Sequence, residues 1–86
     1  MAKYKVEYDQ EKDKVTKTLT FMGKEYSEVW TNGNSSCKRG LETSVEKDHK
    51  DLPENVAEAV EDITYADDGD IMKCLDTLSY YEQSHK

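Results

Sequence analysis

Ala2, Tyr4, Val6 and Tyr8 alternate with Lys3, Lys5 and Glu7, so one side of this segment is apolar and the other charged. Successive side chains on a strand point to opposite faces, and a period of two therefore predicts a strand with one buried and one wet face. The polar stretch 9–14 reads as a loop. Val15, Leu19 and Phe21 then return to one side of a β-branched run, predicting a second strand. Gly23-Lys24, with Gly at the first central position, predicts a type II′ turn into a third strand over 25–30. On this pattern Tyr4, Tyr8, Tyr26 and Trp30 face the core.

Asn32-Gly33 is a second turn signal, and residues 32–42 are too polar for a further strand, so they read as an exposed loop. Beyond them the period changes. Thr43 and Glu46 have capping-box spacing, and Val45, His49 and Leu52 follow at i, i+4 and i+7, predicting a short helix that Pro53 ends. Proline is also well placed in the first turn of a new helix. There Val56, Val60 and Ile63 make an apolar stripe, with Glu54, Glu58 and Glu61 opposite. Asp67 is placed to cap a last helix, with Asp70 near its positive end and Ile71, Leu75 and Leu78 as its buried stripe, Met72 beside them.

Strands first and helices after predict an α+β fold: an N-terminal three-stranded antiparallel β-meander followed by two to three helices packed on one face. A chain of 86 residues makes one domain, with 1–31 as meander, 32–42 as loop, 43–82 as helical half and 83–86 as frayed tail.

Composition narrows the picture. Only 35% of residues are apolar and 36% are charged, so the core is thin. No apolar run exceeds two residues, which argues against a membrane span or a secretory signal and for a cytoplasmic protein with reduced Cys37 and Cys74. The net charge of −7 is unevenly distributed. Residues 1–40 hold eight Lys/Arg against six Asp/Glu, or +2, whereas residues 41–86 hold thirteen acids against four bases, or −9. An acidic chain is repelled by nucleic acid, so the expected partner is a basic protein, of the kind that itself binds nucleic acid.

Candidate chemistry is sparse. With Gly69 at the sixth position of a calcium loop, the first, third and twelfth positions are Thr64, Ala66 and Leu75, which removes most carboxylate ligands. Two histidines and two cysteines lack zinc-site spacing. Cys37 lies beside Lys38 and Arg39, a pair able to activate a thiol, while Cys74 reads as a packing residue. Asn34-Ser35-Ser36 matches a glycosylation sequon, discounted without a secretory signal. No phosphate loop, nucleophile elbow or dinucleotide fingerprint occurs, so no enzyme, cofactor or metal is expected.

What remains is the acidic surface. Glu54, Glu58, Glu61 and Asp62 line the outer side of the second helix, and Asp67, Asp68 and Asp70 start the third. A helix that is only solvated interleaves opposite charges, because like charges one turn apart are destabilising; between Pro53 and Ile63 there is no Lys. Of the adjacent Tyr80 and Tyr81 only one can face inward, and Tyr81 is assigned with the seven carboxylates to a partner-binding face. In size, charge and absence of catalytic motifs the chain resembles small acidic proteins of phage and mobile elements that antagonise nucleases or other defence proteins. That resemblance implies an inhibitor acting as a nucleic-acid mimic. The alternative is an accessory domain that self-associates through a sheet edge or aromatic patch, its acidity serving solubility.

Overall fold

The computed structural model describes residues 1–31, 36–37 and 40–85. Four strands, β1 (Lys3–Asp9), β2 (Lys14–Phe21), β3 (Lys24–Thr31) and β4 (Ser36–Cys37), precede three helices, α1 (Gly40–Asp48), α2 (Glu54–Ile63) and α3 (Asp68–Ser84). The sheet is antiparallel in the order β1-β2-β3-β4. The α+β arrangement of a meander followed by helices is therefore as the periodicity predicts.

Register explains the two faces. Tyr4, Leu19 and Tyr26 lie side by side across β1, β2 and β3, as do Tyr8, Val15 and Trp30. With Ala2 and Phe21 they form the side that meets the helices, where Leu41, Val45, Val56, Val60, Ile63 and Leu78 complete the core. Thr16, Thr18 and Thr20 lie on the other face of the central strand. There Thr18 Oγ1 and Ser27 Oγ share a hydrogen bond of 3.2 Å.

Several local expectations are corrected. Phe21 pairs with Lys24, so the tight turn is Met22-Gly23 rather than Gly23-Lys24. Both central residues have positive φ, +53° and +79°, the sense of a type I′ turn, whose twist matches the flanking strands. Tyr8 lies on the helix-facing side but is not covered by the core. It stands near the end of an edge strand, flanked by a neighbouring strand on one side only, and is 80% exposed.

The segment 32–42 is not a continuous loop. Ser36–Cys37 pairs with Trp30 and Thr31, and helix begins at Gly40. Thr43 is consequently inside α1 and exposed, not at its N-cap. The burial of Leu41 together with Val45, one turn apart, outweighs the local capping signal. Gly40 suits this start because a Cβ there would lie 3.3 Å from the Ser27 carbonyl oxygen on β3. His49 follows α1, its N–H donating to the Val45 carbonyl at 2.9 Å. The Asn32-Gly33 turn, the first two residues of the sequon and the Lys38-Arg39 pair lie outside the described residues.

At the other end of the chain, α3 continues through residues 83 and 84 rather than fraying. Glu82 holds it down: only 7% exposed, it accepts the Met22 N–H through Oε2 at 2.7 Å. Among the described residues no helix is long and apolar enough to cross a membrane.

Candidate acidic protein-binding face

Helix α2 places its carboxylates by simple periodicity. Val56, Ala59, Val60 and Ile63 are buried, which turns Glu54, Glu58, Glu61 and Asp62 to solvent. Helix α3 begins with Asp67 as N-cap, its Oδ1 accepting the Asp70 N–H at 3.1 Å. Asp67, Asp68 and Asp70 are all exposed, at the end of the helix where the backbone dipole favours negative charge. None of the seven forms an ion pair among the described residues.

The turn between α2 and α3 adds an aromatic residue that periodicity does not reveal. Tyr65 is 53% exposed, yet its ring packs edge-on against Trp30, with centroids 5.6 Å apart and planes at 70°. Asp62, Tyr65, Ala66, Asp70, Lys73 and Cys74 together line a shallow concave surface, so the tyrosine shares it with two carboxylates and one ammonium group. Burial pushes the Cys74 thiol pKa up, and the Asp62 and Asp70 charges push it further, which keeps the thiol protonated.

Beneath this surface lies a polar cluster inside the sheet. Lys17 and Glu28 are register partners on the helix-facing side, between the Leu19-Tyr26 and Val15-Trp30 pairs. Lys17 Nζ donates to the Thr64 carbonyl at 2.6 Å, just past the C-terminus of α2, and lies 4.0 Å from the Trp30 ring centroid. A cation is favoured at both places, by the helix dipole and by the ring face. Trp30 Nε1 donates to Glu28 Oε2 at 2.6 Å. The Lys17-Trp30-Glu28 set thus holds the 64–65 turn against the sheet and fixes the platform on which Tyr65 packs. Odd-numbered positions of β2 already pointed Lys17 inward, as even-numbered ones of β3 did Glu28. Which turn those side chains meet is a matter of tertiary packing.

Tyr81 is not with the carboxylates. Eleven residues separate it from Asp70 on α3, about 16 Å along the axis. Its half-buried ring stacks on Phe21 at 6.0 Å and on His85 at 4.0 Å. The exposed member of the pair is Tyr80, at 75%.

The remaining candidates are bonded into the fold. His49 packs edge-on against Phe21 at 5.2 Å, with Nε2 3.4 Å from Tyr26 Oη. Tyr26 Oη and Lys24 Nζ both donate to Asp48 Oδ2, at 2.9 and 2.7 Å. Among the described residues no three His, Cys, Asp or Glu side chains converge as metal ligands. The Cys37 side chain lies outside the described residues.

Comparison with protein-family models, with curated proteins and with solved structures finds no match.

Proposed function

We propose that this chain is a noncatalytic interaction domain that binds a basic protein surface through the acidic face of α2 and the start of α3. The supporting observation is Tyr65, half exposed on one concave surface with Asp62 and Asp70 and backed by Trp30. An aromatic ring with a fixed orientation loses little entropy on contact, and acids around it attract Lys and Arg and set the approach. Lysine and arginine so engaged are unavailable to phosphates. A partner that binds nucleic acid would therefore be blocked, as by the antagonists of phage and mobile elements, and the encounter would take place in the cytoplasm. Tyr65 takes the role that adjacency alone assigned to Tyr81.

The test is capture from host lysate with the native chain, with Tyr65→Ala and with the triple variant Glu54→Lys, Glu58→Lys, Glu61→Lys. A basic partner held at low salt, released as salt rises and lost with both variants is the expected result. Capture unchanged by charge reversal overturns the reading.

A further inference from the structure

The seven residues of β1 are complementary in charge about Val6. Strand β1 is an edge of the sheet, hydrogen-bonded to β2 along one side, and among the described residues no strand covers its other side. Free strand edges are ordinarily protected, commonly by lysine, because they pair with other chains. Here the lysines come with their complements. When a second copy is laid antiparallel with Val6 opposite Val6, Lys5 faces Glu7, Lys3 faces Asp9 and Tyr4 faces Tyr8, each pair occurring twice.

Other registers fail on charge or on face. Moving the two-fold axis to Lys5 sets Lys5 against Lys5, and moving it to Glu7 sets Glu7 against Glu7. An axis between residues opposes apolar to charged positions throughout, since a slip by one residue exchanges the faces. Directly opposed unlike charges and aromatic pairs stabilise antiparallel strands, whereas like charges weaken them.

Exposure agrees with the pairing. Tyr8 is 80% exposed, while Tyr4 and Val6 on the same face are half-buried in the isolated chain. Lys5 and Glu7 lie 3.2 Å apart along the strand, both well exposed and free to exchange that contact for one across the interface. We infer that β1 is a docking surface for a second copy of this chain, joining two sheets edge to edge through the Val6-centred antiparallel register. The surface is separate from the acidic face of α2, so the two stand or fall independently.

Sedimentation of the full chain over a range of concentrations tests this. The expected result is a shift from 9.9 kDa to twice that mass as concentration rises. Lys5→Glu and Glu7→Lys each create two like-charge pairs and weaken their own homodimers by about tenfold or more. Mixed together they restore both pairs and dimerise, and the double variant Lys5→Glu, Glu7→Lys dimerises alone. Glu54→Lys leaves dimerisation unchanged. A chain that stays monomeric at every concentration, a dimer indifferent to both single variants, or variants that do not rescue one another would overturn the inference.

Discussion

Glu82 Oε2 accepts the backbone N–H of Met22 at 2.7 Å, tying the last turn of α3 to the tightest turn of the sheet, 60 positions earlier. Met22 has φ +53°, a left-handed conformation that costs a non-glycine residue roughly 1 kcal/mol. Glu82 Oε1 lies 3.6 Å from the Met1 amino nitrogen, an ion-pair rather than a hydrogen-bond distance. One buried carboxylate thus braces a strained turn and lies beside the Met1 amino group, two residues before β1.

Glu82→Ala removes the acceptor of the Met22 N–H and leaves a void beneath the turn. The expected loss is about 1–3 kcal/mol in denaturant unfolding. Glu54→Ala on the solvent side of α2 serves as comparison and should change stability by less than about 0.5 kcal/mol. Equal effects for the two would remove Glu82 from any bracing role.

Lys17→Met keeps most of the apolar stem but removes the donor to the Thr64 carbonyl and the cation over Trp30. Stability should fall by about 1–3 kcal/mol, because the carbonyl and the buried Glu28 both lose a favourable neighbour. Trp30 fluorescence should change in the native state as well. If the spectrum and the unfolding midpoint both match the native chain, the cluster does not hold the Thr64-Tyr65 turn in place.

Besides Cys74, two tyrosines and one aspartate have shifted pKa values and so contribute to the pH dependence. Tyr4 is pushed up to about 12, chiefly by burial and then by the Glu28 and Tyr8 charges, and Tyr26 to about 12 by burial and its bond to Asp48. A pKa raised above the ordinary 10.0 means that the unfolded chain loses its proton first. Their contribution is therefore complete below pH 10 and is lost as pH rises toward about 12. Tyr26→Phe and Tyr4→Phe should flatten that alkaline loss in unfolding curves. The Asp48 carboxyl is held below the usual range by the donors Lys24 and Tyr26, so its contribution is present above the ordinary carboxylate pKa and is lost as pH falls through the lowered value. Asp48→Asn should remove that part of the acid sensitivity, and an unaltered acid profile would show that another group governs it.

Alternation over Ala2 to Tyr8 and Val15 to Phe21, and the stripe Val56, Val60, Ile63, were enough to read three strands, their packing under helices and the solvent face that carries Glu54, Glu58 and Glu61. These features depend on side-chain period, which is a local property of a chain with one buried side. The charge complement of Lys3 and Lys5 with Asp9 and Glu7 is equally a matter of order along one strand. Tertiary structure decided the rest. Leu41 became core because α1 packs on β3, and Tyr81 turned inward because Phe21 lies beneath it. Glu82, polar and near the chain's end, became buried because a backbone N–H some sixty residues away needed an acceptor. Tyr65 became a supported surface residue only where Trp30 arrived from another strand. Contacts of that range are set by which elements meet, and no local period encodes them.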